Sequence, residues 1–393
     1  MRLGILTLHD STNYGALLQA RALRSHLVSL GHEAVVVDRR RNADLSLRVP
    51  EMESAEFRLF GLLAADAHDG VRENLCRIRR TEEFLAHDVG LSSARFHDWR
   101  EAPAELGVDA IVVGSDQVWN ANNLDPRDYL PGRLPAGVPA LAYAASVGMP
   151  ELPAELAETF RRSLGGFAAV GVREASSVDM LRALGAQASH VVDPVLLAGR
   201  EPWLGVLDGP SSGGGVFAYF LAEDLEANAW PLAEFARSRG QRVEFFVDWY
   251  CRRTPHGFGR WRKNLRDERR LRSAGVDLRL DAGPLEFLRS LCAADVVVSN
   301  SYHALMFAML FGKEIRIVLP SHPVRRLMNG RFREFEDIVS GGPLFSDSLR
   351  GALESLAAGE RVTFSQERLA SRVGASQAWL VRALEKVGAR TDK

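Results

Sequence analysis

The stretch Asp295 to Gly312, DVVVSNSYHALMFAMLFG, leaves few options for what this chain can fold into. Asp295 to Val298 reads as a short parallel strand buried on both faces. Ser299, Asn300 and Ser301 end it with turn and helix N-cap chemistry. From Leu305 to Phe311 the sequence is apolar almost all round, which predicts a buried helix, and Gly312 is a fitting stop. A strand running straight into such a helix is the unit of an open α/β sheet, whose ligands bind at the carboxyl ends of the strands. His303 falls in the first turn of that helix, beside unpaired backbone N–H groups and the positive end of the helix dipole. That is a place for an anion, and an imidazole beside an anion suits acid/base work. The competing reading is a core histidine bonded to a backbone carbonyl.

The same alternation fills most of the chain. Leu3 to Leu8 reads as a strand, His9 to Asn13 as a polar turn, Tyr14 to Leu30 as an amphipathic helix, and Glu33 to Asp38 as the next strand. The turn carries only one glycine, Gly15, so it lacks the dinucleotide fingerprint. Ser11, Thr12 and Asn13 there suit capping or contact with a polar ligand. Residues 40–100 read as an insertion packed against the first domain, with a helix over 71–86. Val108 to Val113 is a strand that empties into Gly114-Ser115-Asp116-Gln117-Val118-Trp119-Asn120, a dense polar cluster where a site would be built. Further strands are predicted at 139–146, 168–172 and 190–193.

Residues 198–215 turn rich in Gly, Pro and Ser, the composition of a linker. A second strand and helix series follows through Ile315 to Leu319, and after Val324 the pattern reads as mostly helical. The expectation is an α/β protein of two Rossmann-like doubly wound domains facing a cleft: residues 1–197, a linker at 198–215, and residues 216–365. The segment 366–393 reads as a helix docking back on the first domain.

Charge and cysteine content narrow the partners. A net charge of −1 gives no global field to draw nucleic acid or an anionic membrane. Cys76, Cys251 and Cys292 share no metal-ligand spacing and are too few for a disulfide framework. No apolar run approaches bilayer length. The expectation is a cytoplasmic protein with no metal, no membrane span and a small-molecule or glycan-precursor substrate; its oligomeric state is left open. The basic run from Arg252 to Arg272 reads as a solvated helix face, with Phe258 and Trp261 leaving open a platform for an anionic acceptor.

Four pieces in order carry a resemblance to a known family. They are Gly4-Ile5-Leu6-Thr7 with Asn13 to Ala20; Val113 to Asn120; Val172-Arg173-Glu174 with Val192-Asp193-Pro194; and Asn300-Ser301-Tyr302-His303-Ala304. In these the chain resembles the polysaccharide pyruvyl transferases. The resemblance implies a glycosyltransferase B-like fold and transfer of pyruvate from phosphoenolpyruvate, as co-substrate and with no other cofactor, to a sugar as a ketal. The better-understood branches carry an arginine just before the histidine; here Ser301 stands in that position.

With that chemistry in view, His303 and Asp116 are the candidate catalytic residues, His303 as acid/base and Asp116 to orient an acceptor hydroxyl or act as base. Phosphoenolpyruvate bears a phosphate and a carboxylate and calls for converging cations, for which Arg173, Arg325 and Arg326 are candidates, with Ser301 beside them. Asn13, Tyr14, Ser115, Gln117 and Asn120 are candidate acceptor contacts. The plainer readings are that Arg173 pairs with Glu174, that Asp116 caps a helix, and that Trp119 packs in the core. A nucleotide-sugar-dependent glycosyltransferase, or a non-catalytic binding relative, would use the same cleft.

Overall fold

The computed structural model describes residues 1–39, 65–96, 98, 100, 102–207, 213–221, 225–247, 258–320 and 326–391. The first sheet has seven strands: β1 (Arg2–Leu6), β2 (Glu33–Arg39), β3 (Leu91–Phe96), β4 (Ala110–Val113), β5 (Ala140–Ala145), β6 (Val170–Val172) and β7 (Ala188–His190). Their order is β3-β2-β1-β4-β5-β6-β7 and every pairing is parallel. Order reverses between β1 and β4, which pair with Leu6 opposite Val113. The second sheet contains β8 (Val216–Phe220), β9 (Val243–Val247), β10 (Val276–Arg279), β11 (Val296–Ser299) and β12 (Glu314–Val318). A short β14 (Phe345–Ser346) closes its edge, in the order β10-β9-β8-β11-β12-β14. Between them in the chain, β13 (Val339–Gly341) pairs antiparallel with β15 (Val362–Phe364). Both large sheets are covered by helices, so β4, β5 and β8 are buried at every position and read as apolar runs.

Three expectations change. The pattern over residues 40–100 announces no strand, yet Leu91–Phe96 adds β3 to the edge of the first sheet. Its sequence, LSSARF, has too little apolar character to announce a strand, because the edge faces fewer neighbours. The helix preceding it, Ala65–Phe84, packs against both halves rather than against the first alone. Arg77 is 2% exposed and donates to Val247 O in the second half (2.6 Å) and to Thr12 O in the first (3.0 Å), over the face of Tyr14. Arg80 reaches Asp281 at 2.8 Å, and Glu73 pairs with Arg272. Third, the strand predicted at 190–193 ends at His190, because Asp193 caps a short helix, Pro194–Ala198, with Pro194 in its first turn.

Within the predicted linker, Trp203 is fully buried, edge-on to Phe307 at 5.0 Å and beneath Arg21 at 4.9 Å. The region after Val324 holds the short strands β13, β14 and β15 among its helices. The last helix, Gln366–Thr391, lies on the first sheet: Val192 N–H donates to Ser376 Oγ, and the Trp379 ring sits against β6. Gly171 permits that approach, since a Cβ there would lie 2.8 Å from the indole. One apolar cluster runs from Leu3 and Leu17 through Tyr14 to Tyr219, Phe287, Tyr302 and Leu384, so the two sheets share a continuous core. No described helix is long and apolar enough to cross a membrane.

Arg77 generates a direct test. Replacing it by Met keeps the bulk but strips the charged donor from two buried carbonyls, one on each side of the seam. Urea unfolding should show a loss of about 2–4 kcal/mol. A change below about 0.5 kcal/mol would show that the inserted helix does not tie the halves together.

Candidate functional site

The first sheet delivers polar groups to its carboxyl edge. After β4, Asp116 adopts φ +65°, a left-handed conformation that an aspartate tolerates better than most residues. After β6 come Arg173 and Glu174, and after β7 comes Asp193. Arg173 is 1% exposed and sits among three carboxylates: Asp193 at 3.1 Å, Glu174 at 3.4 Å and Asp116 at 3.6 Å. Burial disfavours its charge, but Glu174, Tyr302, Asp193 and Asp116 outweigh that and raise its pKa above the ordinary arginine value. Burial likewise works to raise the Asp193 carboxyl. His303, Arg173 and the Val195 N–H override it and hold Asp193 at about 2.

The second sheet answers from across the seam. After β11, Ser301 caps the helix Tyr302–Phe311 by accepting from Ala304 N–H, and Tyr302 and His303 form its first turn. The Tyr302 ring lies 4.3 Å from the Arg173 guanidinium carbon. His303 Nε2 is 3.6 Å from Asp193 Oδ2, ion-pair distance without a formal hydrogen bond. Its ring is pressed against the helix Tyr14–Ser29 of the first half, where a Cβ on Gly15 would lie 2.1 Å from Nδ1. Only glycine allows imidazole and helix to meet at that distance. Tyr302 Oη donates to Glu334 (2.6 Å), and His190 Nε2 lies 3.0 Å from the same carboxylate and 2.9 Å from Arg173 O. Burial lowers the His190 pKa, but Glu334 raises it past the ordinary value.

Of the residues picked from the sequence, His303, Asp116, Arg173, Ser115 and Ser301 come together here. Ser115 Oγ donates to Ala144 O and lies 3.5 Å from Asp193. Gln117 and Asn120 are buried beside them and point amide nitrogens at the Met328 sulfur, at 3.4 and 3.7 Å. Asn13 caps its helix through Ala16 N–H. Tyr14 is no acceptor contact: it is fully buried, stacked on Phe287 at 4.5 Å, and its hydroxyl is committed to Ala282 O. Trp119 is likewise buried, packed edge-on to Phe160. Arg326 is exposed and no ion pair joins it to the cluster; Arg325 lies outside the described residues. Arg252 and Arg253, and the side chains of residues 258–265, also lie outside them.

Sequence reasoning missed Asp193, Tyr302, His190, Arg331 and Glu334. For Asp193 a signal existed, since an acid before proline at a strand end is the N-cap and first-turn signature. Among the described residues no group of three His, Cys, Asp or Glu comes together as a metal ion needs.

The sequence pattern of the polysaccharide pyruvyl transferase family matches residues 13–322. No curated protein matches the chain. Among solved structures, UDP-N-acetylglucosamine 2-epimerase from Rickettsia bellii is similar at a TM-score of 0.54 and 10% identity, over 99% of this chain and 97% of that one. The UDP-GlcNAc 2-epimerase of Methanocaldococcus jannaschii gives 0.52 and 11%, over 98% and 99%. The Neisseria meningitidis enzyme, bound to UDP-GlcNAc, gives 0.50 and 11%, over 98% and 100%. At this identity the likeness concerns the fold, which is glycosyltransferase B-like.

Asp193 sets a pH dependence. Its folded pKa of about 2 lies below that of an unfolded aspartate, so its contribution is present above about pH 4 and is lost as pH falls toward 2. Asp193→Asn should therefore cost about 2 kcal/mol at neutral pH, and the gap should close on acidification. Urea unfolding between about pH 2 and 7 reads it, and a gap independent of pH would contradict the ion pairs.

Proposed function

The chain belongs to the polysaccharide pyruvyl transferase family and is a transferase, and from that premise we propose that it moves pyruvate from phosphoenolpyruvate onto two hydroxyls of a sugar or small natural-product acceptor. The observation that carries this reading is the His303–Asp193 pair, an imidazole from the second half held against a carboxylate of the first, beside a buried arginine. Nδ1 is packed against the helix at Gly15, which leaves Nε2, 3.6 Å from Asp193 and without a hydrogen-bond partner, to exchange a proton with substrate.

In this reading imidazolium at His303 protonates the methylene carbon of phosphoenolpyruvate, and the adjacent carbon takes up cationic character. An acceptor hydroxyl adds to that carbon, the bond to the phosphate oxygen breaks, and a second hydroxyl closes the ketal. Two hydroxyl protons are released. One balances the proton placed on the methylene carbon, and the other leaves with inorganic phosphate. Asp193 steadies the imidazolium, and Asp116, whose side chain stays 14% exposed, is placed to take a hydroxyl proton. Arg173 and the first-turn N–H groups beside His303 face the donor's negative charge. A cytoplasmic location goes with such a donor.

A nucleotide-sugar donor is the second reading, favoured by one observation. Arg173 already faces three carboxylates, so less of its charge is available to a carboxylate-bearing donor than a bare arginine would offer.

The test is phosphate release dependent on phosphoenolpyruvate, followed across sugar acceptors. His303→Ala should lower turnover by about 100-fold or more while its melting temperature stays close to wild type. Unchanged turnover in the variant would assign His303 to packing, and turnover of a nucleotide sugar in place of phosphoenolpyruvate would decide for the second reading.

A further inference from the structure

The segment Leu327–Ile338 begins beyond the end of the family match and forms a 3-10 helix of 12 residues. Three residues per turn stack every third side chain on one stripe. Met328, Arg331 and Glu334 have that spacing, and each lies against the assembled site. Met328 meets the amides of Gln117 and Asn120, beyond β4. Arg331 places its guanidinium carbon 5.7 Å from the Tyr302 ring centroid and 5.0 Å from that of Phe332. Glu334 accepts from Tyr302 and bonds His190, at the end of β7. The stripe is thereby laid across the carboxyl edge of the first sheet, fixed at both ends.

Arg331 is its unusual member. Tyr302 is flanked by two guanidinium groups, those of Arg173 and Arg331. Arg173 has three carboxylates within ion-pair distance, whereas among the described residues none pairs with Arg331 at that distance. Arg331 Nε is buried without a hydrogen-bond partner, and so are Arg173 Nη2 and His303 Nε2. Burial and the charge of Arg173 lower the Arg331 pKa to about 10, with Glu174 and Asp116 pulling it back. A charge held in such a setting without a direct counter-ion gains more from an incoming anion than one already paired. Ser301, at the position where an arginine was expected, is occupied as a helix cap and offers no charge.

We propose that Arg331 grips the donor's phosphate and, with Arg173, His303 and the first turn of the helix Tyr302–Phe311, completes an anion site that the family-matched region alone does not supply. Glu334 is the positioning residue that holds the stripe in place. The inference rests on reading this site as one for a phosphorylated donor, and phosphoenolpyruvate and a nucleotide sugar share that phosphate chemistry.

Titration calorimetry on the full chain uses both probes, phosphoenolpyruvate and UDP-glucose, against wild type, Arg331→Ala and Arg331→Lys. Arg331→Ala should weaken binding of whichever donor wild type binds by about 10-fold or more, and Arg331→Lys should recover part of it. The KM for acceptor should move much less than the KM for donor, and melting temperatures should stay together, which a merely structural role would not produce. Loss of UDP-glucose binding in Arg331→Ala, with no phosphoenolpyruvate binding by wild type, would support Arg331 while overturning the pyruvyl-transfer reading. Equal donor affinity in Arg331→Ala and wild type overturns the proposal, as does a wild type that binds neither probe.

Discussion

Arg173 is the charge on which the assembly turns. A guanidinium 1% exposed is costly to bury, and here it is tolerated because three carboxylates and the face of Tyr302 surround it. Those partners come from different places in the sequence. Asp116 follows β4, Glu174 is adjacent, Asp193 follows β7, and Tyr302 arrives from the second sheet. Satisfying one buried cation therefore fixes the ends of three strands and the entry of the helix that carries His303. Breaking any one of these contacts leaves a buried charge short of compensation, which makes the arrangement cooperative rather than a sum of pairs.

The seam between the sheets follows the same logic with apolar weight. Tyr14 inserts from the first half among Tyr219, Phe246 and Phe287, and Trp203 meets Phe307. Arg77 then bonds one carbonyl on each side. These contacts set how deep the helix Tyr302–Phe311 approaches the helix Tyr14–Ser29, and hence the placement of His303 against Gly15. The residue that looked like a ligand contact, Tyr14, acts a step earlier: it seats its own helix, against which the imidazole rests, on the second half.

What was legible in the sequence was whatever local pattern specifies. The apolar runs of β4, β5, β8 and β11 and the cap-to-helix transition at Ser301 announced parallel sheets with helices between them. Gly31 and Gly312 marked helix ends, and both have positive φ. What stayed hidden depends on tertiary pairing. Leu91–Phe96 becomes a strand only because β2 is there to pair with it. Arg331 and Glu334 sit in a charged stretch whose three-residue period has no meaning until the 3-10 helix is seen. The arginine abundance of the chain, 49 basic residues in all, buried the few informative guanidiniums among many. Arg325 and Arg326 are the candidates that stretch offers in sequence, whereas the guanidinium that the described structure brings beside Tyr302 is that of Arg331.

Charge balance is the remaining constraint on what can enter. Arg173 and Arg331 stand among Asp116, Glu174 and Asp193, with Glu334 close by on Tyr302 and His190, so an anionic donor adds negative charge to a region already rich in it. Asp193 is held ionised by its partners. Glu334 behaves differently: burial raises its pKa, and the bonds from His190 and Tyr302 only partly oppose this. His190 is raised by the same contact, so a proton on either member of that pair persists to higher pH than it would in water. Arg331 stands outside that pair: burial and the charge of Arg173 act to lower its pKa, while Glu174 and Asp116 act to raise it. The bond network that anchors the segment through Glu334 thus leaves Arg331 with no ion-pair partner among the described residues.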